Sequence, residues 1–365
     1  MTSRLPGLAV IGCGYWGSKH TRVIWEMPQA RLAMAVDQSQ ERRDYLREKY
    51  GSVEVTGDAE AAFNSDDVNG VVIATPVSTH FELARQALLA GKHVLVEKPM
   101  VTRSSEAEEL IALAEARQLV LMVGHTYEYH PAVTYLRNLI RSGSLGQIHY
   151  INSSRLNLGL FQPDTNVLWD LAPHDLSIIF SLLGQAPVSV SATGQCHILP
   201  QVEDVAYALV RLANGVTAHV HVSWLDPVKV RQVTVVGSTG MAVFNDVAAE
   251  QQVQIYDKRF TIAPAGDGYA DFRSGYHYGD VVLPRIPSGE PLTLECEDFA
   301  RSIVNGTRPV ADGYSGLRVV QALEAATRSL HADGRAEPIA LPEPVVLAAQ
   351  GQLGLVENGH YAADK

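Results

Sequence analysis

The sequence predicts an α/β protein in which a doubly wound parallel sheet precedes an α+β domain with a large, open, mostly antiparallel sheet. Three observations support this fold class. Residues 7–125 alternate short apolar runs with helical patterns, which is typical of parallel sheets covered by helices on both faces. Beyond residue 130, long alternating or β-branched runs replace those patterns. The 365 residues, 46% of them apolar, are enough for two domains, which we place at 1–125 and 126–365.

Five short apolar runs are the predicted strands of the first domain. They span residues 8–11, 32–36, 70–74, 93–97 and 119–123. Helices are expected between them, and residues 104–118 illustrate the signal. There Ser105 and Glu108 fit a capping box, and Leu110 and Ala114 follow at helical spacing. Parallel strands bring their carboxyl ends to one edge, where open α/β sheets bind ligands.

Five longer runs are the predicted strands of the second domain, at residues 147–157, 188–198, 204–212, 216–224 and 230–236. Hairpin signals at residues 214–215 and 238–240 follow two of them and favour antiparallel pairing. Helices are predicted at residues 167–183, 294–305 and 317–330. So few helices leave one apolar sheet face uncovered, and we therefore expect a homodimer or homotetramer assembled through it.

Charge and cysteine usage exclude several classes of protein. The 40 acidic and 29 basic residues give a net charge of −11, which argues against a nucleic-acid partner. No run approaches the ~18 uninterrupted apolar residues of a membrane span. Cys13, Cys196 and Cys296 lack the density of a disulfide framework, so we expect reduced thiols in the cytoplasm. His219 and His221 share a strand face without further ligands, and we predict no metal.

The segment Gly12-Cys13-Gly14-Tyr15-Trp16-Gly17 follows the first strand and opens a helix, which is the context that a dinucleotide-binding motif needs. Gly12 permits the tight turn, Gly14 allows a pyrophosphate to approach the backbone, and Gly17 allows close packing of helix on strand. The alternative is an ordinary glycine-rich turn.

Asp37 ends the second predicted strand, 20 residues after Gly17. A carboxylate at this position accepts hydrogen bonds from the adenosine ribose hydroxyls and repels a 2′-phosphate. We therefore predict NAD rather than NADP as the cofactor. Arg42 and Arg43 are close enough in sequence to soften this preference.

Two further strand ends carry polar side chains. Thr75-Pro76 follows the third predicted strand, with His80 shortly after, and Glu97-Lys98-Pro99 ends the fourth. Both lie at carboxyl ends of strands, where ligands bind. Lys98 is either a solvated loop charge or a cation that binds a substrate hydroxyl and stabilises an alkoxide.

Asp170 and His174 lie four residues apart where a helix of the second domain opens, so their side chains are neighbours if that turn is helical. Pro173 is compatible with a first helical turn. An aspartate beside a histidine fixes the ring tautomer and suits general acid/base chemistry. Helix capping by polar residues is the alternative.

Together these motifs resemble the Gfo/Idh/MocA oxidoreductases, a family named for glucose–fructose oxidoreductase, inositol dehydrogenase and a rhizopine catabolism protein. The resemblance covers nearly the whole chain. Its most specific carriers are Glu97-Lys98-Pro99 at a strand end and the Asp170-x-x-x-His174 pair in the second domain. Pro173 departs from the small residue that many members carry at that position.

The resemblance implies a Rossmann domain followed by an α/β domain whose open sheet packs against another subunit. It implies that Lys98 positions and polarises the reacting hydroxyl, that His174 takes its proton, and that Asp170 orients His174 or binds a neighbouring hydroxyl. The residues expected to bind the cofactor are Gly12, Gly14, Tyr15, Trp16, Gly17, Asp37, Thr75, Pro76, His80, Glu97 and Lys98.

Residues 157–170 resemble the branch of this family found with sugar and nucleotide-sugar pathways. This implies an NAD-dependent dehydrogenase or ketoreductase acting on a ring secondary alcohol of a nucleotide sugar, with C3 as the reacting carbon. Besides Lys98, Asp170 and His174, the residues expected to bind the substrate are Tyr127, Arg155, Asn157 and Asn166. The Arg155 guanidinium is the expected ligand of a diphosphate because it can bind bidentately.

Two alternatives stay open. One is a dehydrogenase of inositol or of a free monosaccharide. The other is a non-enzymatic, nucleotide-sensing regulator, since this fold has been reused in a galactose-pathway repressor, and fold alone does not decide function. The joint presence of Lys98, Asp170 and His174 counts against the regulator.

Overall fold

The computed structural model describes residues 5–159, 161, 165–262 and 274–340. A six-stranded parallel sheet and a nine-stranded, mostly antiparallel sheet organise this part of the chain, and they confirm the predicted fold class. The division predicted at residue 125 falls between the last strand of the first sheet and the first strand of the second. In the described ranges no helix is long and apolar enough to cross a bilayer.

The first sheet has the strand order β3-β2-β1-β4-β5-β6. Its strands are β1 (Gly7–Ile11), β2 (Arg31–Val36), β3 (Glu54–Thr56), β4 (Gly70–Ile73), β5 (His93–Glu97) and β6 (Leu121–Gly124). Five of them match predicted runs. The edge strand β3 was not predicted, because its three residues are at most half-buried and form no apolar run. The order reverses between β1 and β4, which is where such sheets open a ligand crevice.

Helices cover both faces of this sheet. They are α1 (Tyr15–Glu26), α2 (Gln40–Lys49), α3 (Ala59–Asn64), α4 (His80–Leu89) and α5 (Ser104–Ala116), and α6 (Pro131–Arg141) follows β6. The predicted capping box in α5 is wrong. The helix begins at Ser104 instead, so Ser105 lies inside it, and the Ser104 amide donates to Glu324 Oε1 at 3.0 Å.

The second sheet has the order β14-β13-β12-β11-β7-β10-β9-β8-β15, with β7 and β10 parallel and the other pairs antiparallel. Its strands are β7 (Ile148–Leu158), β8 (Pro187–Gln195), β9 (Val205–Leu212), β10 (Thr217–Ser223), β11 (Leu225–Gly237), β12 (Met241–Asn245), β13 (Val253–Ile262), β14 (Ser274–Val282) and β15 (Glu337–Pro338). The predicted runs correspond to β7–β11. The strands β12–β15 were not predicted.

Three helices complete the described chain: α7 (Val167–Leu183), α8 (Pro291–Asn305) and α9 (Gly313–Leu330). Helices α7 and α9 pack on one face of the second sheet around a shared apolar core. Helix α8 instead places Leu292, Cys296 and Phe299 in a core of the first sheet, and α9 adds Leu317 and Val320 to the other core. The C-terminal part of the chain therefore stabilises both sheets.

Candidate functional site

The loop between β1 and α1 has the shape that a dinucleotide requires. Gly12 has a φ of +86°, which favours glycine, and a side chain at Gly17 would place its Cβ 1.7 Å from the Gly12 carbonyl oxygen. A Cβ at Gly14 would meet nothing within 4 Å, so the loop faces open space. Gly14 caps α1 without a side-chain bond, and the first turn, all of it described, carries no acidic residue. The free N–H groups of this turn fit a phosphate.

The Asp37 carboxylate fixes this loop from the end of β2. Its Oδ2 accepts from the Cys13 amide at 2.8 Å, and its Oδ1 accepts from the Ser39 amide at 2.8 Å. Arg42 donates to the Cys13 carbonyl, and Arg43 donates to the Asp37 carbonyl. Both arginines thus contact backbone oxygens, while Asp37 lies at the mouth of the predicted ribose site.

Tyr15 and Trp16 lie on the surface at the start of α1. Their rings meet edge to face with centroids 5.7 Å apart. Lys19 Nζ lies 4.1 Å from the Tyr15 centroid and 4.3 Å from the Trp16 centroid. This exposed pair flanks the open side of the glycine loop.

His80 joins the loops that follow β4 and β5. The ring is 1% exposed, with Nδ1 3.0 Å from the Pro99 carbonyl oxygen and Nε2 2.9 Å from the Thr75 carbonyl oxygen. Thr75 Oγ1 is hydrogen-bonded to Thr79 Oγ1 at 2.7 Å. Burial lowers the pKa of His80, so the ring is neutral and its single N–H donates to one of these two carbonyl oxygens. The ring lies between the two predicted ligand loops, beside Pro76.

Lys98, at the end of β5, reaches helix α7. Its Nζ donates to the Asp170 carbonyl oxygen at 2.9 Å and lies 3.8 Å from Asp170 Oδ1. The side chains of Lys98 and Asp170 are 14% and 23% exposed, so the pair is shielded but reachable. The neighbouring Glu97 is almost fully buried and makes no such contact across the crevice in the described ranges.

Helix α7 spans the predicted residues and brings Asp170 and His174 onto one side. Because it begins at Val167, Pro173 is the seventh helical residue, and its predicted place in the first turn is wrong. Asp170 Oδ2 accepts from Trp224 Nε1 at 3.0 Å, and no hydrogen bond from Asp170 to His174 occurs among the described residues. The tryptophan, which the sequence did not point to, fixes this carboxylate.

His174 is a neutral imidazole. Burial, together with the positive charges of Lys98 and Arg155, lowers the pKa of its side chain well below the ordinary value. Its Nδ1 is buried without a hydrogen-bond partner in the described part of the chain. Its ring lies edge to face against the Tyr127 ring, with centroids 5.2 Å apart. A neutral imidazole beside a lysine ammonium is suited to accept a proton.

Arg155 is buried against a carboxylate that the sequence analysis did not indicate. Its Nε donates to Asp175 Oδ2 at 2.7 Å, and the two side chains are 5% and 1% exposed. Its guanidinium also lies over the Tyr127 ring at 4.6 Å. The buried Asp175 carboxylate therefore balances the positive charge of Arg155. This geometry favours a role for Arg155 in positioning Tyr127 and not in binding a diphosphate.

Arg231 is the arginine that the sequence did not indicate. It lies opposite Arg155 in the pairing of β7 with β11, and its NH1 donates to Tyr127 Oη at 3.0 Å and to Asp246 Oδ2 at 3.2 Å. Its side chain is 37% exposed, and its charge acts on His174. This places an accessible guanidinium at the rim of the site.

The two asparagines predicted to bind substrate occupy different places. Asn157 lies near the end of β7, two residues beyond Arg155 and therefore on the same face. Asn166 caps α7: its Oδ1 accepts from the Trp169 amide at 3.1 Å, and its Nδ2 donates to Glu203 at 2.7 Å. The structure thus gives Asn166 a helix-capping role.

Comparison with known proteins agrees with these features. Residues 7–125 match a model described as an oxidoreductase family with an NAD-binding Rossmann fold, and residues 133–243 match the GFO/IDH/MocA C-terminal domain. The predicted cofactor, NAD, is thereby confirmed at the level of the family.

Three similar proteins are informative. UDP-N-acetylglucosamine 3-dehydrogenase from Acidithiobacillus ferrooxidans is 32% identical over 86% of this chain and 93% of its own length. Its crystal structure superposes with a TM-score of 0.73 at 28% identity, covering 90% of this chain and 99% of that one. Inositol 2-dehydrogenase from Rhizobium meliloti is 27% identical over 88% of this chain and 96% of its own. GenD2 from gentamicin A biosynthesis, solved with NAD, is 27% identical with a TM-score of 0.76, covering 93% of this chain and 98% of that one.

Proposed function

Because this chain belongs to the GFO/IDH/MocA family of oxidoreductases, we propose that it is an NAD-dependent dehydrogenase of a nucleotide-linked hexose. The proposed reaction oxidises a ring secondary alcohol, or reduces its ketone, with C3 as the reacting carbon. The observation that carries this proposal is the grouping of Lys98, Asp170 and the neutral His174 where β5 meets α7.

The three side chains divide the chemistry of alcohol oxidation. His174 accepts the hydroxyl proton, because its imidazole is neutral at physiological pH. The Lys98 ammonium binds the same oxygen and stabilises the alkoxide that develops on it. Asp170, held by Trp224, binds a neighbouring hydroxyl and keeps Lys98 in place. Bound NAD supplies the hydride acceptor.

Residues at four strand ends support the cofactor. The N–H groups at the start of α1 bind the pyrophosphate, with Gly12, Gly14 and Gly17 giving the loop its shape. Asp37 faces the ribose and favours NAD over NADP. Thr75 and Pro76, with Tyr15 and Trp16 across the loop, line the approach to the crevice, whereas His80 and Glu97 act through the backbone segments that they hold.

The relative that acts on UDP-N-acetylglucosamine supports a nucleotide sugar as substrate, because this chain matches nearly all of that enzyme. Tyr127, Asn157 and Arg231 are the polar groups available to the sugar and its linked phosphates. A dehydrogenase of inositol is the second candidate, supported by the inositol enzyme matched over 96% of its length. A non-enzymatic regulator would have no need of a neutral His174 beside Lys98.

The proposal includes a homo-oligomer that acts in the cytoplasm. The face of the second sheet opposite α7 and α9 exposes Tyr150, Tyr207 and Leu209, which suits contact with a second copy. The three cysteines are unpaired, which supports a reducing compartment such as the cytoplasm.

A panel of UDP-sugars, dTDP-sugars, free sugars and inositols, assayed by nicotinamide absorbance with NAD and NADP in both directions, tests the proposal. We expect turnover with a UDP-hexose and NAD, and a 3-keto product identified by mass spectrometry after borodeuteride reduction. Equal turnover of the free sugar would favour the second candidate. Absence of turnover with every member would contradict the proposal.

A further inference from the structure

Three buried side chains form a line of hydrogen bonds that ends at the backbone of Lys98. Cys296 Sγ lies 3.5 Å from His20 Nδ1, and His20 Nε2 lies 3.0 Å from Glu97 Oε1. Glu97 Oε2 in turn accepts from the Lys98 amide at 3.0 Å. His20, Cys296 and Glu97 are 0%, 1% and 7% exposed. Because water scarcely reaches these contacts, they fix one geometry around Lys98.

The protonation states of the line follow from its surroundings. Burial, with the nearby carboxylates of Glu295 and Glu97, raises the pKa of the Cys296 thiol well above its ordinary value, so the sulfur keeps its proton. The S–H then donates to His20 Nδ1, which leaves the ring proton on Nε2 to donate to Glu97. Burial alone would raise the pKa of Glu97, but hydrogen bonds from His20 and from the Lys98 amide lower it. Glu97 is therefore an ionised carboxylate with a donor on each oxygen.

The neighbouring strand leaves room for this carboxylate and little more. Gly124 pairs with Glu97 across β5 and β6. A Cβ added at Gly124 would lie 3.0 Å from Glu97 Oε2 and 3.1 Å from Glu97 Cα. A larger residue at this position would push against the carboxylate that accepts from Lys98. The end of β6 thus confines Glu97 to the position in which it can accept from both donors.

His20 belongs to α1, the helix whose first turn binds the dinucleotide phosphates in the proposed function. The same helix therefore contacts both the phosphate site, at its N-terminus, and the residue that holds Lys98, one and a half turns later. We propose that His20 is a positioning residue that acts through Glu97 to fix the backbone of Lys98, so that the cofactor helix and the catalytic lysine keep one relative position. This inference rests on the proposed function, in which Lys98 contacts the reacting oxygen.

A merely structural role for His20 predicts a different pattern of effects. Loss of a buried side chain from α1 would lower stability, and activity would fall only as far as folding fails. A positioning role predicts a loss of turnover in folded enzyme at unchanged cofactor affinity, because misplacement of a catalytic group by about 1 Å can cost on the order of a hundredfold.

The first arm of the test compares three variants of the full chain. His20→Leu removes both ring nitrogens, His20→Gln keeps an N–H donor near the Nε2 position, and Val23→Ala removes buried volume from the same helix without touching Glu97. We expect kcat to fall about 10- to 100-fold in His20→Leu, with NADH affinity within about threefold. His20→Gln restores kcat to within about fivefold, and Val23→Ala leaves it within about twofold at a comparable loss of thermal stability. Equal losses in His20→Leu and Val23→Ala would overturn the proposal.

The second arm does not depend on substrate. In protein labelled with ¹⁵N-lysine, the Lys98 amide is expected to exchange with solvent about tenfold faster or more in His20→Leu than in Val23→Ala, with NADH bound to both. An unchanged Lys98 amide in His20→Leu would overturn the proposal even if turnover falls. If no sugar is turned over by the unmodified protein but the amide responds as described, the substrate assignment fails and the positioning role stands.

Discussion

Trp224 Nε1 donates a hydrogen bond to Asp170 Oδ2 at 3.0 Å, and this contact holds the carboxylate away from the role that sequence spacing suggests for it. The other oxygen of Asp170 faces Lys98 Nζ at 3.8 Å. Asp170 is therefore shared between a tryptophan and a lysine, and His174 stands beside them with its Nδ1 unpaired among the described residues. In the proposed reaction, His174 and Asp170 therefore contact the substrate separately and not as a hydrogen-bonded pair.

Lys98→Ala and His174→Ala should each lower kcat by on the order of a hundredfold or more, because one removes the charge that stabilises the alkoxide and the other removes the proton acceptor. NADH affinity, measured by fluorescence titration, should stay within about threefold in both, since neither side chain contacts the glycine loop. Near-normal turnover in both variants would refute the assignment of the site.

Asp37 should set the preference for NAD over NADP. Replacing Asp37 by Ser removes the negative charge that repels a 2′-phosphate, and the ratio of kcat/KM values for NAD and NADP is expected to fall by about tenfold or more. Arg42→Ala is the comparison variant, because Arg42 is the nearby cation that could soften this preference and donates to the Cys13 carbonyl. A larger change in the ratio from Arg42→Ala than from Asp37→Ser would show that the arginine controls the specificity.

The glycine loop, Lys98, Asp170 and His174 are candidates that sequence alone can indicate, because each belongs to a motif of at most six residues. Trp224 and Arg231 could not, since their partners Asp170 and Tyr127 are 54 and 104 residues away. The buried partner of Arg155 could not be predicted for a related reason. The sequence shows the charge of Arg155 but not its partner. The packing of α7 on β7 brings Asp175 Oδ2 to 2.7 Å from Arg155 Nε.

The unpaired imidazole of His125 should make the protein less stable in acid. Burial lowers the pKa of His125 to about 3, and both its ring nitrogens lack partners in the described chain. The pKa of this histidine in the unfolded chain is about 6.5. Between pH 6.5 and pH 3, the unfolded chain therefore binds a proton that the folded protein does not, and the free energy of unfolding falls as the pH falls. At pH 5 the loss relative to pH 7.5 is roughly 2 kcal/mol.

Urea unfolding of the unmodified protein and of His125→Asn at these two pH values measures this contribution. The variant should lose less stability on acidification than the unmodified protein, because its side chain does not titrate. Equal losses in both proteins would show that His125 is not responsible.

Arg155 and Arg231 should respond differently to replacement by Met. Arg155→Met leaves Asp175 buried without its cation and is expected to lower the free energy of unfolding by about 3–5 kcal/mol. Arg231→Met loses a partly exposed ion pair and should lower the free energy of unfolding by about 1 kcal/mol or less.

In substrate assays, Arg231→Met should raise KM for a UDP-hexose about tenfold and leave KM for the free sugar unchanged. An equal rise in both KM values would exclude a phosphate contact.

The open face of the second sheet should hold the protein in a homodimer or homotetramer. On β9 the buried residues alternate with Tyr207 and Leu209, which are 44% and 37% exposed, and Tyr207 stacks on His221 of β10 at 4.3 Å. A contiguous apolar and aromatic patch on a sheet is stabilised when a second copy covers it. Light scattering at micromolar concentration should give a multiple of 39.6 kDa.

Leu209→Glu places a charge in the patch and should shift the mass toward the monomer. Leu89→Glu, at a similarly exposed leucine on α4, should leave the mass unchanged. A monomeric mass for the unmodified protein would refute assembly through this face, and loss of the oligomer in Leu89→Glu alone would place the contact on the first domain instead.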